Sequence, residues 1–172
     1  MMDGCDNCDG ACCRRYFVPV SDSDVRRLAA SDLSPLEYVD FCDVAKIESE
    51  QQDIRLDDGY YYMVLKRRED GACVFSRQNN GVLRCSVHGY HPMLCRIYPF
   101  NPVNAQLRDK YSCAAPPKIF KDLQETAVQA AVEHGFYSRK VRIWNQMRRE
   151  TRTREEFIRY VLRVCSLPPV QI

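Results

Sequence analysis

Ten cysteines stand in a chain of 172 residues, and four of them fall in the stretch "CDNCDGACC" at positions 5–13. Thiolates ligate zinc and iron–sulfur clusters, so this density points to metal or redox chemistry. Eight of the ten, Cys5, Cys8, Cys12, Cys13, Cys73, Cys85, Cys95 and Cys113, lie mostly in turn-like surroundings with Gly, Asp, Asn or Pro nearby. Turns suit metal ligands because their backbone N–H groups point at the sulfurs and offset the thiolate charge. Cys5-Asp6-Asn7-Cys8 has the C-x2-C spacing at which two sulfurs converge on one ion, and it is the single pair so spaced. A zinc ribbon normally needs two such knuckles, which disfavours that arrangement.

Cys12 and Cys13 are consecutive, and consecutive side chains of an extended segment face opposite ways. Their sulfurs therefore serve two nearby centres, or one ligates while the other supports a neighbouring group. Eight thiols suffice for two four-thiolate sites. Iron–sulfur clusters accept irregular spacing more readily than zinc ribbons do, although the ferredoxin run C-x2-C-x2-C-x3-C-P is absent. His88 and His91 stand between Cys85 and Cys95. They are near enough in sequence to ligate a metal, replace a thiolate or hydrogen-bond one, but ordinary loop histidines are the expectation, since eight cysteines already complete two sites. Arg96 either offsets thiolate charge or forms a structural ion pair. Asp3, Asp6 and Asp9 are expected to form turns, and Cys42 and Cys165 to be buried thiols on the apolar faces of helices.

The motif "CDNCDGACC" resembles the CxxCxxxCC signature of the YkgJ-type zinc- or iron-chelating domain family. The blocks "GACVFS", "GVLRCSVHGYHPMLCRIYPF" and "YSC" are similar to that family's remaining cysteine blocks, and "VPVSDSDVRRLA" to the helix between them. The resemblance covers residues 5 to about 116 and implies metal chelation by the eight cysteines named above. One departure is visible: His91-Pro92 stands where the family usually has Arg-Pro. The resemblance extends to flagellin lysine-N-methylase, which makes a protein lysine N-methyltransferase-like enzyme the second reading. Against it, the seven glycines are too dispersed for a G-x-G-x-x-G turn or a P-loop, and no C-x3-C-x2-C triplet occurs.

Composition sets the frame for these residues: 45% hydrophobic and 28% charged is the profile of a globular domain with a real core. A chain of this size needs no disulfide staples. The opening residues carry neither the basic nor the apolar region of an export signal, and no apolar run approaches a membrane span, so a reducing cytoplasm is expected. Ser21 with Asp24 predicts a helix over 21–30, and Ser34-Pro35 with Glu37 a second one running into Phe41. "IRLDDGYYYMVLKRR" predicts a hairpin turning at Asp58-Gly59, with the tyrosines as hairpin surface and core. Asn80-Gly81 predicts a second, joining 73–76 to 82–87 and placing Cys73 and Cys85 at or near facing strands.

Residues 99–117 read as irregular; beyond them one helix stops at Gly135, and another opens at Thr153 with Glu156 and ends before Pro168. The fold class is α+β: a small cysteine-rich metal-binding domain of short hairpins and helices over 1–116, followed by a helical C-terminal extension over 117–172 packed on it. Nine Arg and Lys residues between Arg139 and Arg163, beside Trp144, raise a nucleic-acid face, but interspersed Glu150, Glu155 and Glu156 make solvated helix surface the expectation. Eight thiolates holding two divalent ions would also turn the nominal charge of +2 into −2. The expectation is a cytoplasmic metal-binding protein whose cofactor is an iron–sulfur cluster or zinc, iron leading, with a redox or metal-handling role. Its partner is the metal ion or cluster, with nucleic acid and membrane disfavoured.

Overall fold

The computed structural model describes residues 11–79, 82–108 and 117–163. It is α+β: helices surround two small antiparallel sheets. Helix α1 (Ala11–Arg15) is followed by α2 (Asp22–Leu28), whose start is a complete capping box. Ser21 Oγ accepts the Asp24 N–H at 3.2 Å, and the Asp24 carboxylate accepts the Ser21 N–H at 2.8 Å. A cap of this kind contributes about 1 kcal/mol.

Helix α3 (Pro35–Tyr38) begins as expected, with Ser34 as N-cap and Pro35 in its first turn, but it ends after four residues. Val39–Asp43 is instead strand β1, which corrects the helical reading of Val39, Phe41 and Cys42. The reason is tertiary: this β-favouring segment pairs antiparallel with β3 (Gly59–Leu65), in the register Val39↔Leu65 to Asp43↔Tyr61. Strand β2 (Ile54–Leu56) pairs with the other edge of β3 through a two-residue turn before Gly59, at the predicted hairpin. Gly59 has φ +149°, a value that favours glycine.

The second sheet joins β4 (Ser76–Asn79) to β5 (Val82–Cys85), with Asn79 opposite Val82 and Ser76 opposite Cys85. The predicted hairpin is therefore present, starting at Ser76 rather than Cys73. Helix α4 (Met93–Ile97) follows. Helix α5 (Pro117–Gln146) runs through Gly135, correcting the expected stop there. An exposed glycine costs a helix only about 1 kcal/mol relative to alanine, and fully buried Tyr137, Val141 and Trp144 lie just beyond it. Helix α6 (Arg154–Arg163) opens where expected, with Thr153 and Glu156 exchanging hydrogen bonds at 3.0 and 3.2 Å.

One core joins residues of α2, the three-stranded sheet, α5 and α6: Val25, Leu28, Ile54, Met63, Trp144 and Phe157 are among its members. Trp144 stands edge-on to Phe157 at 5.3 Å and donates its ring N–H to the Arg55 carbonyl at 2.9 Å. Asn145 accepts the Arg55 N–H and donates to the Asp53 carbonyl, both at 2.9 Å, so α5 covers the polar edge of β2. A smaller core of Met93, Ile97, Phe100, Ala127 and Ala130 seats α4 on α5. No helix among the described residues is long and apolar enough to cross a membrane.

Candidate metal centre

Cys5, Cys8, Cys113 and Cys165 lie outside the described residues, as do Asp3, Asp6 and Asp9; Cys12 is described by its backbone position in α1. Of the described cysteines, Cys13, Cys73 and Cys85 lie on segments joined by backbone hydrogen bonds. The Cys73 N–H donates to the Cys13 carbonyl at 2.9 Å, tying α1 to the loop after β3. Arg67 strengthens that tie by donating to the carbonyls of Tyr16, at 2.8 Å, and Arg14.

Residues 73–76 make a turn in which both the N–H and the hydroxyl of Ser76 donate to the Cys73 carbonyl, at 2.9 and 2.6 Å. Ser86, next to Cys85, donates in the same double way to the Phe75 carbonyl. Cys73 and Cys85 are thus set on adjoining segments, both half-buried against the main core. Burial pushes the Cys73 thiol pKa up; the backbone N–H groups of Phe75 and Ser76 and the guanidinium groups of Arg67 and Arg68 pull it down but do not win. A coordinating cation would reverse that balance, because a metal deprotonates its thiol ligand.

Cys95 sits in the middle of α4, half-buried, with its N–H on the Pro92 carbonyl at 2.9 Å. The start of α4 is held from far away in sequence: Asp24 accepts the Met93 N–H at 2.7 Å. At its other end Tyr98 faces Tyr16 with ring centroids 6.2 Å apart. The residues after Cys13 and after Cys95 therefore meet. Among the described residues no three His, Cys, Asp or Glu side chains group closely enough to hold a metal ion.

Cys42 behaves as the expected buried thiol, though on a strand: it pairs with Tyr62 in β1–β3, and burial raises its pKa. His88 and His91 are not ordinary loop histidines. Their rings stack at 5.0 Å with an 18° interplanar angle, and His91 is only 6% exposed. Nε2 of His88 and both ring nitrogens of His91 are buried without a hydrogen-bond partner. Burial, followed by the neighbouring His88, lowers the His91 pKa to about 4 against the His88 main chain and the Asp24 carboxylate, which raise it, so its imidazole is neutral at pH 7.

The arginine-rich helices offer no stacking platform at Trp144, which is fully buried with Arg149 over its ring at 4.4 Å. Lys140 is buried on Asp22, and Arg154 pairs with Asp58. The residues that sequence reasoning missed are those organising α4: Asp24 was legible as a capping-box member, but its second task, receiving the Met93 N–H, had no local signal.

A family model described as "CxxCxxCC: Putative zinc- or iron-chelating domain" matches residues 4–130. The chain belongs to this family. That span contains all eight candidate cysteines together with His88 and His91, and it ends inside α5. Zinc- or iron-chelation is thus the general chemistry of this chain, in agreement with the resemblance drawn from its cysteine blocks. No curated protein and no solved structure matches it.

Proposed function

We propose that the chelating-domain chain binds iron, as an iron–sulfur centre, through the set Cys5, Cys8, Cys12, Cys13, Cys73, Cys85, Cys95 and Cys113, with zinc as the competing metal. The observation that carries this reading is the Cys73 turn: a half-buried thiol near two backbone N–H groups and two guanidinium groups, its main chain hydrogen-bonded to Cys13. Such surroundings offset the charge of several clustered thiolates. When bound, the metal supplies either electron transfer or a folding cross-link. The chain's own part is to join α1, the 73–76 turn and β5 through backbone hydrogen bonds, with Tyr98 after α4 against Tyr16, and to keep the thiols partly out of water. Residues 1–116 form the metal-binding part in this reading, with the helices beyond as its support; Tyr137, Trp144 and Phe157 in the shared core favour that division of labour. The thiols call for a reducing compartment such as the cytoplasm.

The test is elemental analysis, acid-labile sulfide and a visible spectrum on protein purified without oxygen. Iron with matching sulfide and a sulfur-to-iron charge-transfer band is the expected result. Colourless protein with stoichiometric zinc moves the reading to a closed zinc site, and protein that takes up neither metal overturns it. Cys95→Ser should lower metal content and stability together, while Cys42→Ser should leave metal content near wild type.

A further inference from the structure

We propose that His88 and His91 contribute imidazole nitrogens to the metal centre of this chain, an inference that rests on the cysteine reading above. A neutral imidazole carries one donor and one acceptor, and leaving either buried and unpaired is costly. Here three buried ring nitrogens on two adjacent rings make no well-formed hydrogen bond, the His88 main chain lying against the His91 ring, and one of the two histidines is almost wholly excluded from solvent. The pair is placed by structure on both sides: Cys85 ends β5 three residues before His88, and Cys95 lies in α4 four residues after His91. The segment between is a turn closed by the Tyr90 N–H on the Val87 carbonyl at 3.0 Å.

The nearly parallel stacking holds the two rings together as a unit, and an imidazole ligates a metal through the in-plane lone pair of its neutral form. Zinc and iron–sulfur centres both accept mixed histidine and cysteine donors. Two imidazoles beside eight thiols exceed the eight positions of two four-coordinate sites. Up to two thiols then stand outside direct ligation, as the consecutive Cys12-Cys13 pair allows.

The experiment is X-ray absorption at the edge of the metal bound by the full-length chain, read for sulfur neighbours and for the outer-atom scattering that distinguishes imidazole. The wild-type protein is expected to show both. His91→Phe and His88→Phe, which keep a ring in place, should each lose imidazole scattering and release metal to a competing chelator about tenfold or more readily. A sulfur-only environment in the wild-type protein, or full metal retention with an unchanged spectrum in both variants, overturns the inference and leaves the cysteine reading intact. A nitrogen environment without sulfur overturns the cysteine reading instead, and a chain that binds neither metal overturns both. The wild-type spectrum decides even if a variant fails to fold.

Discussion

Two buried polar regions of this molecule meet at the start of α4, where Asp24 accepts the Met93 N–H, and they are built differently. Where α2 meets α5 the charged side chains are paired, although Arg27 Nε and the Tyr137 hydroxyl are buried without a hydrogen-bond partner. Lys140 Nζ lies 2.6 Å from the Asp22 carboxylate, Arg27 bridges Asp24 at 2.6 Å and Glu133 at 2.8 Å, and Asp24 also receives the Ser21 and Met93 N–H groups. In the turn before α4, two stacked histidines bury three ring nitrogens that make no well-formed hydrogen bond, with the His88 main chain lying against the His91 ring. A satisfied network specifies a structure, whereas an unsatisfied pair burdens it unless something else binds there. The difference separates the part of the fold that holds α2 on α5 from the part in which we propose that a metal binds.

Breaking the satisfied region should have the largest effect. Asp22→Ala leaves the Lys140 ammonium buried without its partner, with side-chain exposures of 9% and 2% for Lys140 and Asp22. A loss of about 3–5 kcal/mol in urea unfolding is expected. The double change Asp22→Leu with Lys140→Met should recover most of it, since a well-packed apolar pair can replace a buried ion pair. If the single variant unfolds within about 1 kcal/mol of wild type, the network is not what holds α2 on α5.

The two regions also differ in how much of them the sequence discloses. The capping boxes Ser21/Asp24, Ser34/Glu37 and Thr153/Glu156 and both hairpins are local signals, and each is found in the fold. The features that misled are those decided at a distance. Val39–Asp43 becomes a strand because β3 is there to pair with it, and α5 passes Gly135 because Tyr137, Val141 and Trp144 are buried beyond. Helix α4 follows Pro92 without any side-chain cap of its own; its external support comes from Asp24, 69 residues earlier. For the candidate centre, the cysteine spacing disclosed the chemistry, but burial of His91 depends on packing that no pattern around "HGYHP" announces.

The orphaned region makes a pH prediction for the metal-free protein. His91 titrates near 4 when folded and near 6.5 when unfolded. The unfolded chain therefore binds the extra proton first. Stability is full above pH 6.5 and declines as pH falls toward 4, by about 3 kcal/mol at most for this one group. His134, whose pKa burial also lowers, adds a slope of the same sign. Unfolding followed from pH 7.5 to 4.5 should thus show a decline that His91→Phe makes shallower without abolishing. A slope identical in both proteins would mean that His91 is not buried uncharged.

The smallest effect sharpens the comparison most, because its sign is reversed. At pH 7.5, replacing Asp22 removes a partner from a paired group, while His91→Phe removes unpaired polar atoms and keeps a ring of similar shape. The metal-free variant should therefore be as stable as wild type or more so, by about 1–2 kcal/mol, since deleting a buried unsatisfied group relieves its desolvation cost. Loaded with metal, the order should invert, because the wild-type chain gains the binding free energy of a complete donor set and the variant gains less. Paired unfolding curves with and without metal give both signs in one experiment. A variant that is weaker in both states would show that the histidines hold the turn for packing alone. One that is stronger without metal and weaker with it would show that the chain keeps a destabilising pair of rings for the sake of what they bind.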